Sequence, residues 1–276
     1  MNYEDYQTIR VDVVGGVGTV TIDNPPINLF DFSLYSEMAR VSAELAADGA
    51  VRVVVLRSAN PDFFIAHFDV TAILALPTDQ PEQPVVNDFH AMCERFRTMP
   101  KATIAVIEGR VAGGGSELTL SCDMRFATLG RAIFNQPEVA LGIIPGGTGT
   151  QRLSRLMGRS RALEAILGCD DVDAALAERW GWVNRALPDG ELWPFVERLA
   201  RRIASFPAHA VAAAKASVLL AEKGLEADLP AEAALFNGTL KEPSARIAME
   251  RFLAAGGQTL DGELRLGSLI DQLVTA

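Results

Sequence analysis

Cysteine is scarce in this chain of 276 residues, with three in all: Cys93, Cys122 and Cys169. They are widely separated and odd in number, and none stands at Cys-x-x-Cys or zinc-type spacing. A disulfide framework is thereby excluded, and buried reduced thiols in a reducing compartment are expected. Histidine is equally rare at three, and none lies at ligand spacing from Asp69 or Asp123. Those two acids therefore read as structural groups and not as metal ligands. Positive charge is also short, with 25 Lys and Arg against 35 Asp and Glu and a net charge of −10. That balance excludes broad attraction to nucleic acid or anionic lipid. It leaves room for an anionic small molecule, because salt screens distant charges within about 8 Å. Trp180, Trp182 and Trp193 are too few, and lack the basic neighbours, for a base-stacking surface, and they read as packing residues. No apolar run approaches the ~18–20 residues of a membrane helix. The mixed, acidic start Met1-Asn2-Tyr3-Glu4-Asp5-Tyr6 resembles neither a secretory signal nor a transit peptide, so a cytoplasmic location is expected.

What the chain does have is apolar material, 49% of its residues, enough to bury a full core. Ile9 to Val14 and Val17 to Ile22 flank Gly15-Gly16, the pattern of a hairpin with a two-residue turn. Tyr35, Met38, Val41 and Leu45 recur at helical steps between Phe32 and Ala47. Val51 to Leu56 reads as a strand buried on both faces. A polar stretch around Pro77, Pro81 and Pro84 is expected to be a mobile loop. A helix through Val86, Phe89, Cys93 and Phe96, a strand from Thr103 to Ile107, a short helix from Ser116 and a strand from Met124 to Thr128 follow. Beyond Pro145 the segments 150–157, 160–167, 172–180, 191–205, 208–222, 231–240 and 244–255 carry helical spacing, without a convincing strand. Pro207, Pro230 and Pro243 are expected at or near helix starts. The order predicts an α/β fold with a helical C-terminal appendage, divided into 1–205 and 206–276. Leu266, Ile270 and Leu273 predict a last helix that is either a surface helix or one packed on a partner.

Two segments carry candidate chemistry. In Gly109-Arg110-Val111-Ala112-Gly113-Gly114-Gly115-Ser116-Glu117 a strand runs through three glycines into a helix. Glycine admits close approach to the backbone, and a helix start offers unpaired N–H groups to an anion or to an oxygen that becomes anionic. No Gly-Lys-Ser/Thr follows, so this is not a phosphate loop, and Gly-x-Gly-x-x-Gly is absent. Glu117 is expected in the first helical turn, where the dipole favours its ionised form. Glu138 precedes an apolar run, Val139 to Ile144, so burial is expected to raise its pKa. Two carboxylates with different proton affinities form an acid/base pair in principle. By themselves, a tight strand–helix crossing and two ordinary helix-start glutamates account for both segments better than an acid/base site does.

The segments Ile107 to Ala127 and Phe134 to Leu153 resemble the signature of the crotonase (enoyl-CoA hydratase/isomerase) superfamily. Asn24-Pro25-Pro26-Ile27-Asn28, Phe64-Ile65-Ala66-His67-Phe68-Asp69, Gly181-Trp182-Val183-Asn184 and Lys215 fit further landmarks of it in the expected order. The resemblance implies a crotonase-like spiral of ββα units with a C-terminal helical trimerisation region. It implies an acyl-coenzyme A thioester as substrate, no separate cofactor, no nucleic-acid or membrane partner, and a homotrimer or a dimer of trimers. Carried over by position, the N–H groups of Phe68 and Gly114 hold the thioester oxygen, and Glu117 and Glu138 are the catalytic pair of the hydratase branch. Ile27, Ala66, His67, Phe68, Asp69, Gly113 and Gly114 are the implied substrate contacts. Having both glutamates favours hydration over isomerisation or C–C cleavage by the same enolate, or over non-catalytic acyl-CoA binding. The chain departs from the pattern at several points: His67 stands where relatives usually have glycine, Phe68 where hydratases often have a small residue, the interval between the glutamates (138 − 117 = 21) is one residue longer than is typical, and Ala254-Ala255-Gly256-Gly257 stands where many have basic residues.

Overall fold

The fold is described from a computed structural model, in which residues 3–77, 86–222 and 224–274 are described. The expected mobile loop falls largely at 78–85, including Pro81 and Pro84, and so lies outside the described residues.

Among the described residues ten strands form two sheets. The strands are β1 (Ile9–Val14), β2 (Val17–Ile22), β3 (Val53–Ser58), β4 (Phe63–Ile65), β5 (Ala102–Ile107), β6 (Arg110–Ala112), β7 (Met124–Thr128), β8 (Ile133–Asn135), β9 (Val172–Asp173) and β10 (Arg185–Leu187). The first sheet has the order β1-β2-β3-β5-β7-β10 and the second β4-β6-β8-β9. Only β1/β2 and β8/β9 are antiparallel. The chain alternates between the sheets: β3, β5 and β7 each enter the first, and β4, β6 and β8 each follow in the second. This is a spiral of ββα units.

Helices fill the turns of the spiral. α1 (Phe32–Ala47) starts where the Asp31 side chain accepts the Leu34 N–H, and it buries Leu34, Met38, Val41 and Leu45 against the first sheet. α2 (Val70–Leu74) and α3 (Asp88–Thr98) follow β4, and α4 (Gly113–Leu120) follows β6 directly. A 3₁₀ turn (Glu138–Leu141) follows β8 and precedes α5 (Gly149–Met157) and α6 (Arg159–Gly168). Then come α7 (Ala174–Trp180), α8 (Leu192–Ala204), α9 (Ala208–Leu219), α10 (Leu225–Leu240), α11 (Pro243–Ala254), α12 (Leu260–Leu264) and α13 (Leu266–Val274). Leu240, Met249, Phe252, Leu266 and Ile270 of these last helices share an apolar cluster with Val70 of α2 and Leu141 and Ile143 near the 3₁₀ turn. Among the described residues no single helix is long and apolar enough to cross a membrane.

Three expectations are corrected. Two strands, β9 and β10, do occur beyond Pro145, and β4 and β8 occur where no strand was expected. All have two or three residues, too few for an alternating pattern to register. Pro230 is the sixth residue of α10, near its start but inside it, where its missing N–H costs one intrahelical hydrogen bond. The triglycine segment is itself the start of α4, so this helix begins at Gly113, earlier than Ser116.

The short strands are what place the site. Parallel pairing of β4 with β6 and of β6 with β8 brings three carboxyl-terminal strand ends side by side. The loop 66–69, the start of α4 and the 3₁₀ turn leave from those ends. Close packing depends on Gly115, where an added Cβ would lie 2.7 Å from Ile65 Cβ and 2.8 Å from its carbonyl oxygen. Gly115→Ala is expected to destabilise the fold by about 1–3 kcal/mol, as overpacking does, with a lower denaturation midpoint at unchanged m value.

Candidate active site

A cavity of about 140 Å³ opens at these strand ends. Phe68, Gly114, Glu117, Glu138 and Gly147 form one side, and Ile73, Phe89, Ile143, Ile144 and Phe236 form an apolar remainder. The four residues expected to carry the chemistry are therefore brought to one cavity from loops separated by up to 70 positions in the chain (138 − 68).

Two backbone donors face it. Phe30 and Phe68 form a parallel bridge in which the Phe30 N–H donates to the His67 carbonyl (2.9 Å) and the Asp69 N–H to the Phe30 carbonyl (3.2 Å). That pattern turns the Phe68 N–H to the opposite side, and among the described residues it meets no acceptor. Gly114 is the second residue of α4, so its N–H has no carbonyl one turn back. The two residues adjoin: a Cβ at Gly114 would lie 3.2 Å from Phe68 Cβ.

Both carboxyl groups are buried, Glu117 to 4% exposure and Glu138 to 8%. Glu117 is the fifth residue of α4 and lies beyond its first turn, so the dipole it meets belongs to another helix. Its Oε1 accepts the N–H groups of Gly147 and Gly149, both at 2.8 Å, at the start of α5. A Cβ at Gly147 would collide with Glu117 Oε2 at 2.4 Å, so only glycine lets the backbone come this close. Between the two glycines Thr148 holds φ at 108°, a costly conformation for a β-branched residue, and its hydroxyl accepts from Arg152 Nε (2.9 Å). Burial nevertheless raises the Glu117 pKa from an ordinary 4.5 to about 8, with the nearby Glu232 carboxylate adding to the rise and the two amides opposing it. The expectation of a preferentially ionised Glu117 is thus corrected: desolvation outweighs the dipole. Glu138 is raised well above the ordinary range, by burial first and by Glu117 next. Gln136, just before that turn, faces the Glu138 carboxyl with its side-chain amide.

The remaining expected contacts stand behind the cavity wall. Ile27 and Ala66 are buried together with Phe63, Asp69 caps α2 by accepting from the Thr71 N–H, and Gly113 separates Glu138 from His67. His67 is buried and bound to Glu263 of α12. These five do not line this cavity; they stand behind the residues that do.

A match to the enoyl-CoA hydratase/isomerase family model spans residues 12–258. The chain belongs to that family. It is 32% identical over 226 residues to the short-chain-enoyl-CoA hydratase of Clostridium acetobutylicum, covering 82% of this chain and 85% of that protein. A solved structure of enoyl-CoA hydratase type from Streptomyces avermitilis superposes with a TM-score of 0.89 at 39% identity, covering 98% of this chain and all of the other. An enoyl-CoA hydratase structure from Mycobacterium avium subsp. paratuberculosis gives a TM-score of 0.78 at 25% identity over 88% of this chain and 98% of that one.

Within this enoyl-CoA hydratase/isomerase chain, sequence reasoning missed Glu232, which is 1% exposed. It accepts from the Gln151 N–H (3.2 Å) and the Thr150 hydroxyl and faces His90 Nε2 (3.4 Å). No local motif announces it, because it reaches the site from α10 across 115 positions (232 − 117). The start of α5 thus serves two buried carboxyl groups.

A carboxyl whose folded pKa is raised binds a proton that the unfolded chain has released. Stability therefore falls as pH rises from about 4.5 towards 8. Thermal unfolding followed across that range should show this loss, and Glu117→Gln should show a smaller one.

Proposed function

We propose that this chain hydrates 2-enoyl-CoA thioesters to 3-hydroxyacyl-CoA, as the names of its relatives describe for them. The observation that carries this reading is the meeting, in one apolar cavity, of two unpaired backbone donors and two buried carboxyl groups. Adding water across a conjugated double bond drives electron density from C3 through C2 onto the thioester oxygen. The Phe68 and Gly114 N–H groups are fixed donors for that oxygen, and a donor of this kind typically contributes about 3–4 kcal/mol to the transition state.

Water must lose a proton as it attacks C3, and C2 must gain one. Glu117 suits the first task. Two amides hold its orientation, and with a pKa of about 8 it is basic enough to take a proton near neutral pH while still ionised in part. Glu138, which holds its proton more firmly, suits the second. Once Glu117 has ionised, its charge further favours the neutral form of Glu138, so the pair carries one proton between them. Addition then leaves each group in the state its partner started from, and reversal dehydrates the product. Acid/base groups and main-chain donors supply everything this reaction needs, so no cofactor beyond the coenzyme A of the substrate belongs to the proposal.

An assembly of three chains, alone or paired into six, also belongs to this reading. It is supported by α9, an alanine- and valine-rich helix with no buried residue, and by Val218 and Leu220, 71% and 67% exposed. The cytoplasm is the proposed location; the three buried thiols, none in a disulfide, fit its reducing conditions.

Glu117→Gln and Glu138→Gln should each reduce turnover about 10²–10⁴-fold, read as loss of enoyl-thioester absorbance with crotonyl-CoA, while the ligand still binds. Near-normal turnover in either variant refutes the assignment.

A further inference from the structure

The tail reaches back to the donor loop through a buried ion pair whose acidic partner, Glu263, lies beyond the span of the family match. Glu263 of α12 is fully buried, and its Oε1 accepts from His67 Nε2 at 3.0 Å. The other ring nitrogen, Nδ1, donates to the carbonyl of Phe68 at 2.8 Å. Both ring nitrogens therefore face oxygen acceptors, an arrangement that a doubly protonated imidazolium satisfies and either neutral tautomer does not. The ring spans from the His67 Cα to the Phe68 carbonyl and so restricts the torsions on either side of the Phe68 Cα, while the Phe30 N–H holds the His67 carbonyl of the peptide that carries the Phe68 N–H.

A second set of contacts runs beside the first. Gln258 accepts from the Val70 N–H (2.8 Å), donates to Asp69 Oδ1 (2.9 Å), and directs its own N–H to Glu263 Oε1 (2.6 Å). Gln258 holds this position at a φ of 64°. Glu263 Oε2 is buried with no protein partner among the described residues. Such a carboxylate is a cost to stability, and it points to a role other than holding the fold together.

We propose that Glu263, acting through His67, is a positioning residue that fixes the Phe68 N–H towards the thioester oxygen. The inference rests on the donor role proposed above for Phe68. The groups around the His67 ring agree with its charge. Glu263 from α12 and Asp69 from its own loop are negative, Phe252 of α11 packs edge-on at 5.6 Å, and Glu138 lies beyond Gly113. Arg110 of β6, the cation that acts on Glu263, is itself paired with Asp171. Burial is the largest single influence and works against the charged ring, yet the charge and hydrogen bond of Glu263, the Phe68 carbonyl and Asp69 together outweigh it and raise the His67 pKa above its ordinary value. Glu263 in turn is held below its ordinary range, burial opposing and His67 prevailing.

Glu263→Gln keeps the shape of the side chain and removes the charge. It should lower kcat about tenfold to a hundredfold, as a displaced catalytic group does, with KM held within about twofold. The His67 ring resonance, followed by NMR, should titrate at lower pH, because burial remains and the attracting charge is gone. His67→Gln should give a similar kcat, and the double variant should lose no more than either single one. If Glu263→Gln does not fold, the split between kcat and KM in His67→Gln decides. An unchanged kcat overturns the inference, as does a loss that appears in KM and melting temperature alone. Should Glu117→Gln retain full activity, the hydratase reading fails, whereas the clamp is still judged by the His67 titration.

Discussion

The pairing of three very short parallel strands is the constraint on which the site depends. β4, β6 and β8 have three residues each, and their order in the second sheet sets the donor loop, the start of α4 and the 3₁₀ turn next to one another. Ligands in parallel sheets gather at carboxyl-terminal strand ends because chain departures there leave N–H groups and helix starts unpaired. Here the departing segments deliver Phe68, Gly114 and Glu138 in turn. Gly115 keeps α4 against β4 closely enough for the first two to adjoin.

Electrostatics then separates two residues of the same type. Both glutamates are removed from water, and a neighbouring carboxyl raises the cost of ionising each: Glu232 for Glu117, and Glu117 for Glu138. Glu117 alone receives two backbone N–H groups from the start of α5, while Glu138 sits in the 3₁₀ turn beside Gln136. The asymmetry comes from backbone geometry that glycines make possible, at Gly147 above all. The strained Thr148 between the two donors fits a segment shaped for function at a cost in stability.

Much of this was legible in the residues themselves. The hairpin, α1 and β7 follow from alternation and helical spacing and stand at their expected bounds. The glycine run correctly marked a strand-to-helix crossing with free amides, and the resemblance singled out the two glutamates and the donor loop. What escaped was whatever needs three dimensions. A three-residue strand has no period, so the second sheet could not be read. The helix dipole expected for Glu117 was assigned to its own helix, whereas the amides it meets belong to one about thirty residues later. Glu232 and Glu263 come from the C-terminal helices, and nothing near them in sequence links them to the cavity. His67 stands out in the sequence as an unusual residue, and its partner on α12 accounts for it.

The central claim is that the main-chain N–H groups of Phe68 and Gly114 grip the thioester oxygen. Infrared difference spectroscopy of an enoyl-CoA carrying ¹³C at the thioester carbonyl, bound to an inactive glutamate variant, tests it most directly. The account predicts that the carbonyl stretch moves to lower frequency than in water, because two donors polarise the bond. A stretch at or above the aqueous frequency, with the ligand fully bound, would contradict it.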